Sequence, residues 1–297
     1  MSCDYLADQF KIFVDSVPEE TPLLAVIAFH EAHMPVVADP QKRLACETSD
    51  SVCRSNILKM LPNSAASNYF GVVSSLDDAV GKIYRALKDA DRLADTFLIF
   101  TSDNGPEEHT RGGSGSALPF SGTKRMLLEG GHRVPGILHW PAKIRKNHRL
   151  STLVSALDIR PTIQHILHTE NEQLDVQQSD DMDGVSWLPM MMLAEPNYWT
   201  RQTPLGMCLP LKSTDAVATV CNTIAYYQGN MKLILSIAPS LNQPNERLFN
   251  IETDLAELRD ISTENRALVS ELNIKAKALR SKIIKDFNMN CPYVKKG

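Results

Sequence analysis

The chain has 297 residues, of which 43% are hydrophobic and 22% charged, with a formal net charge of −4. That length suits one large domain or a domain with a small satellite, with enough apolar material for a sizeable core. The mild acidity excludes the basic footprint of a nucleic-acid binder, and no apolar run approaches the roughly 20 residues that span a bilayer.

The N-terminus lacks the basic and apolar regions of a signal peptide. Residues 4–17 place Tyr5, Leu6, Phe10, Phe13 and Val14 at helical spacing. Leu23 to Phe29 is a continuous apolar run, which predicts a strand covered on both faces. An irregular stretch with Pro35, Pro40 and Pro62 follows. Phe70, Val73, Leu76, Val80, Ile83, Tyr84 and Leu87 then mark a long amphipathic helix.

Thr96 to Thr101 reads as the next strand, so strand, helix and strand imply a parallel pair with a crossover helix. Val134 to Trp140 is a further strand candidate. Leu157 to Leu167 is a helix candidate, with Pro161 in its early turns. The predicted class is α/β, a mostly parallel sheet flanked by helices over residues 1–195. Residues 196–297 change character. Short segments at Ala216–Cys221, Ile224–Tyr227 and Lys232–Ser236, a Gln228-Gly229-Asn230 turn and a charged helix near 263–286 predict a small antiparallel sheet with a packed helix.

None of the six cysteines forms a CxxC pair, which removes zinc-ribbon and thioredoxin readings. Cys46 and Cys53 share a loop, and Cys208 and Cys221 bracket a hairpin. Disulfides and free thiols both remain open. No Asn-x-Ser/Thr sequon occurs.

Polar chemistry collects where apolar runs stop. Thr101-Ser102-Asp103-Asn104-Gly105-Pro106 ends one strand with two oxygen-bearing side chains and a turn. Ligands of open α/β sheets bind at such carboxyl ends, and a hard cation such as Ca²⁺ takes 6–8 oxygens. An Asx-type turn is the plain structural alternative. His30-Glu31-Ala32-His33-Met34-Pro35 leaves the first apolar run with two histidines, one residue short of an HExxH spacing. Lys124 and Arg125 precede Glu129-Gly130-Gly131-His132-Arg133-Val134-Pro135. They match neither a P-loop nor a nucleophile elbow. A lysine near a cation makes sense when an anion such as sulfate or phosphate lies between them.

Together these stretches resemble the sulfatases of the alkaline-phosphatase superfamily. The resemblance rests on the TSDNGP segment, the Lys124-to-Pro135 segment, Trp140-Pro141, Asp158-Ile159-Arg160-Pro161-Thr162, Asp183-Gly184-Val185-Ser186 and Leu248-Phe249-Asn250-Ile251-Glu252-Thr253-Asp254, in that order. It implies Ca²⁺ ligation by Asp103 and Asn104, a hydrogen bond from His33 to the scissile ester, and contact of Lys124 with the sulfate. It also implies a sulfated small molecule or glycan as substrate and a lysosomal or secreted location.

The family's Cys-x-Pro/Ala-Ser-Arg motif, source of its formylglycine nucleophile, does not occur here. Neither do its N-terminal Asp-Asp pair and Lys-x-His segment, so no nucleophile is assigned. The sequence reads as if it begins inside a sulfatase domain. It then represents part of an active enzyme, an inactive paralogue that binds anions or partners, or one half of a two-chain site. A phosphate-ester or phosphonate hydrolase of the same superfamily is the nearest enzymatic alternative.

Overall fold

A computed structural model describes residues 2–34, 36–42, 64–108, 115–170, 183–192, 201, 203–210, 221–237 and 245–290. The chain divides into two compact units. The first comprises Met1–Ser116 and Val134–Ile144, the second Ala117–Arg133 and Arg145–Gly297. The sequence-based boundary at 195 and 196 falls within the span of the second unit.

In the first unit, helix α1 (Ser2–Ser16) packs on helix α2 (Ser64–Asp89). The buried stripe of α1 is Cys3, Ala7, Phe10 and Val14. It meets Ala79, Ile83, Ala86 and Leu87 of α2, with Leu23, Ile27, Phe29 and Leu98 at the border. The small residues Ala7, Ala79 and Ala86 let the two helices approach between the larger Phe10, Val14, Ile83 and Leu87. Tyr5 is 63% exposed and Tyr84 40% exposed, whereas the periodicity had placed both on the apolar faces. Lys82 bridges Asp4 and Asp8 at 3.0 and 3.2 Å across the helix pair.

Strand β1 (Leu98–Thr101) forms where an apolar run was expected to pair. Its partner is β2 (Gly136–His139), and the pairing is antiparallel, from Leu98 opposite His139 to Thr101 opposite Gly136. The parallel crossover is therefore not found among the described residues. Residues 23–29 carry no strand ladder there. They do keep a two-residue alternation: Leu23, Ile27 and Phe29 turn towards the helices, while Leu24 and Val26 are 73% and 89% exposed. The run is covered on one face rather than two.

The second unit begins with a loop at 117–128 and the short helix α3 (Glu129–His132). Helix α4 (Ile159–Glu170) follows a single 3-10 turn at Ala156–Asp158. Ser155 closes a capping box there: its hydroxyl accepts from Leu157 N, and Asp158 Oδ2 accepts from Ser155 N at 2.8 Å. Pro161 sits in the first turn, where its missing N–H costs no helix bond. Asp158 is fully buried. It also takes Arg201 Nη1 at 2.7 Å, Trp187 Nε1 at 3.1 Å and Val185 N at 2.9 Å. Asp158 and Gly184, two of the motif landmarks, are thus one structural joint. Helix α5 (Leu188–Met192) extends from it.

The C-terminal sheet is antiparallel as expected, with four strands in chain order: β3 (Leu205–Pro210), β4 (Cys221–Gln228), β5 (Met231–Ser236) and β6 (Glu246–Asn250). Gly229 supplies the positive φ of the β4–β5 turn. Helix α6 (Arg266–Asn290) covers one sheet face, where Ile224, Tyr226, Leu233, Leu235 and Leu248 meet Val269, Leu272 and Ala276. The alternate residues Ala225, Tyr227, Ile234 and Phe249 face the other way and pack with Leu127, next to α3. Cys208 and Cys221 form a disulfide between β3 and β4. Cys3 is a buried free thiol. Cys46, Cys53 and Ala216–Val220 lie outside the described residues.

Candidate active site

The four residues singled out from sequence fall on three segments in two units. Asp103, Asn104 and His33 belong to the first unit, and Lys124 to the second.

Asp103 and Asn104 follow directly on β1. The strand is half-buried up to Phe100 and opens at Thr101, so its end delivers Asp103 to solvent and Asn104 to a half-buried position. Asn104 Nδ2 donates to Asp103 Oδ1 at 2.6 Å, which brings the carboxylate and the amide together. Ser102 Oγ donates to Asn104 O at 3.2 Å and shapes the turn. Carboxylate and amide oxygens are the donors that hard cations select. Among the described residues no group of three or more His, Cys, Asp or Glu could hold a metal ion. The pair offers one carboxylate and one amide at the end of β1.

His33 lies on the turn that ends residues 23–29. His33 N donates to His30 O at 2.8 Å, and the two rings meet edge to face at 5.5 Å. A carbonyl only accepts, so the 2.9 Å contact of His33 Nδ1 with Met34 O fixes the proton on Nδ1 of the exposed ring. The turn is tied to the start of α1: Glu31 Oε1 accepts from Ser2 Oγ at 2.7 Å and from Cys3 N at 3.1 Å. Burial alone would push the Glu31 carboxyl up; these hydrogen bonds outweigh it and hold the carboxyl below its ordinary range.

Lys124 sits half-buried in a tight turn that Met126 N closes on Thr123 O at 3.0 Å. Arg125 adopts φ +74° and Gly122 φ +86° around it. Behind the turn, Gly130 N donates to Ser121 O at 2.7 Å. A Cβ on Gly130 would stand 2.4 Å from Gly122 O, and one on Gly131 2.3 Å from Met126 O. The double glycine is what lets α3 nest against the lysine turn.

Glu129, the first residue of α3, is the electrostatic centre of the second unit. Its Oε1 accepts from Lys232 Nζ at 2.9 Å and from the Tyr227 hydroxyl at 2.8 Å. Arg133 Nη1 lies 3.3 Å from Oε2. Burial would raise this carboxyl, but the hydrogen bonds from His132, Lys232 and Tyr227 and the Lys232 charge hold it far below the carboxylate range. Burial and the Glu129 charge push the Tyr227 phenol well above its usual value. Lys232 also pairs with Glu257 at 2.7 Å. Sequence reasoning passed over this cluster. Its signal is a lysine inside Met231-Lys232-Leu233-Ile234-Leu235, in phase with Ile234 and thus on a buried face.

Comparison with known proteins decides the family. Residues 1–169 match the sulfatase family model, and residues 122–282 match the model described as N-sulphoglucosamine sulphohydrolase, C-terminal. The chain belongs to the sulfatase family. This sulfatase-family chain is 29% identical over 195 residues to human arylsulfatase G, covering 61% of the chain and 36% of that protein. It is 24% identical over 291 residues to N-acetylgalactosamine-6-O-sulfatase of Bacteroides thetaiotaomicron, covering 91% and 49%. Among solved structures, Ps i-CgsB in complex with k-i-k-neocarrahexaose superposes with a TM-score of 0.74 at 26% identity, over 94% of the chain and 54% of that chain. The family chain thus spans about half or less of the length of these relatives. No helix among its described residues is long and apolar enough to cross a membrane.

Proposed function

We propose that this chain carries the metal- and sulfate-binding residues of a sulfate-ester hydrolase acting on sulfated glycans. The observation that carries the reading is the match of residues 1–169 to the sulfatase family, with Asp103 and Asn104 delivered together at the open end of β1. The glycan class rests on the relatives: one is an N-acetylgalactosamine-6-O-sulfatase, and another was solved with k-i-k-neocarrahexaose.

In this reading Asp103 and Asn104 hold Ca²⁺, which when bound supplies positive charge for the sulfuryl oxygens. Lys124 presents an ammonium that suits a sulfate anion, and its turn fixes where that charge stands. His33, exposed on its turn, serves through Nε2 as the proton donor to the departing sugar oxygen once the ring is protonated. No residue of the chain is assigned as nucleophile.

The test is binding of N-acetylgalactosamine-6-sulfate and of unsulfated N-acetylgalactosamine by calorimetry, with and without Ca²⁺. The reading requires that only the sulfated sugar binds, that Ca²⁺ strengthens binding, and that Lys124→Ala weakens it by about tenfold, the loss of one charge-assisted contact. Equal affinity for both sugars would refute it.

A further inference from the structure

We propose that Glu129, Tyr227, Lys232 and Glu257 are positioning residues for Lys124, so that the C-terminal sheet sets the place of the sulfate-contacting ammonium. The proposal rests on Lys124 as the sulfate contact.

The Lys124 turn lies outside any helix or strand. Residues 121–128 are closed by a backbone bond from Met126 N to Thr123 O and carry two left-handed residues. Its support is α3, whose two glycines leave room for the carbonyls of Gly122, Thr123 and Met126. A four-residue helix cannot hold itself either, since a single turn is an unfavourable nucleus. What fixes α3 is its first residue. The Glu129 side chain is gripped by Lys232 and Tyr227, and its backbone N–H donates to Glu257 Oε2 at 2.5 Å. Lys232 stands between the two carboxylates, 2.9 Å from Glu129 and 2.7 Å from Glu257.

Burying three charges is a poor way to stabilise a fold, because desolvation consumes most of the attraction. Lys232 is nevertheless 0% exposed, Glu129 2% and Glu257 7%. What such a network supplies, and an apolar contact does not, is direction. Several hydrogen bonds converging on one residue fix the rotation and height of α3, and through its glycines the position of the turn. Leu127, packed on Ala225, Tyr227, Ile234 and Phe249, holds the other end of the turn to the same sheet face.

Glu129→Gln is the clean perturbation. It removes the carboxylate on the loop side and leaves the Lys232–Glu257 pair intact and neutral. Tyr227→Phe removes the hydroxyl that donates to Glu129 Oε1 and contacts His132 Nε2. The readout is the initial rate of tryptic cleavage after Lys124 and Arg125, followed by mass spectrometry. Amide exchange in β4 and β5 reports the integrity of the sheet, and calorimetry with inorganic sulfate reports the site.

The expected result is cleavage about tenfold faster in Glu129→Gln and less so in Tyr227→Phe, with β4 and β5 exchange unchanged and sulfate binding weakened towards that of Lys124→Ala. Unchanged cleavage in both variants would overturn the proposal. So would acceleration that only follows faster exchange in β4 and β5. If Lys124→Ala binds sulfate as the wild type does, the assignment of Lys124 fails instead, and the cleavage rates still judge the clamp.

Discussion

Gly131→Ala is the sharpest probe of how the lysine turn is built. A Cβ at this position would lie 2.3 Å from Met126 O and 2.7 Å from Thr123 O, both backbone atoms that cannot swing aside. The Met126 oxygen must retreat by roughly 0.7 Å to reach 3.0 Å, below which real Cβ atoms are essentially never found, and overpacking of this kind costs about 1–3 kcal/mol. The displaced peptides flank Lys124 on both sides, so strain and displacement fall on the turn itself. Gly136→Ala is the matched control, since a Cβ there meets nothing within 4 Å. Urea unfolding of both variants, with amide exchange at residues 123–126, separates the cases. Gly131→Ala should lose about 1–3 kcal/mol and exchange faster in the turn, while Gly136→Ala stays within about 0.5 kcal/mol of wild type. Equal stability of the two variants, with unchanged exchange at 123–126, would refute the nesting of α3 against the turn.

Four further outcomes follow from the same structure. Asp158→Ala leaves the Arg201 guanidinium buried without its partner and should cost about 3–5 kcal/mol, a drop of roughly 10 °C in a thermal melt. Reducing Cys208–Cys221, which closes a separation of 13 residues, should cost about 3 kcal/mol in urea unfolding with and without reductant. The depressed Glu129 carboxyl contributes stability that is complete above the ordinary carboxylate pKa of about 4.3 and is lost as pH falls below it. Urea midpoints between pH 6 and pH 3 should therefore fall more steeply in wild type than in Glu129→Gln. Finally, pure chain should show no turnover of an aryl sulfate, because its sequence lacks the formylglycine motif; sustained turnover would contradict that expectation.

Much of the C-terminal sheet was legible because a two-residue alternation, a Gly turn and a charged helix are all local signals. The antiparallel pairing of β1 with β2 was not legible. Leu23 to Phe29 has the composition of a doubly covered strand, yet Leu24 and Val26 stand open, and composition cannot say which face finds a cover. The helix stripes were legible at Phe10, Val14, Ile83 and Leu87, which are buried, but not at Tyr5 and Tyr84, whose places in the contact go to Cys3, Ala7, Ala79 and Ala86. Asp103 and Asn104 were singled out because an acid and an amide at a strand end stand out, and the structure does set them side by side at the end of β1. Glu129 and Lys232 were missed because they are 103 residues apart and nothing in either segment announces the other. Several family landmarks proved to be joints: Asp158 caps a helix and binds Arg201, and Asp254 accepts from Leu258 N and Arg259 N at 3.1 and 2.9 Å.

Calcium titration by calorimetry addresses the metal assignment with the least intervening inference. The wild-type chain should bind one Ca²⁺ with an affinity no tighter than about millimolar, as a partial oxygen set allows, and Asp103→Ala with Asn104→Ala should abolish that binding. Undiminished Ca²⁺ binding by the double variant would remove Asp103 and Asn104 from the site, and with them the electrostatic basis proposed for sulfate recognition.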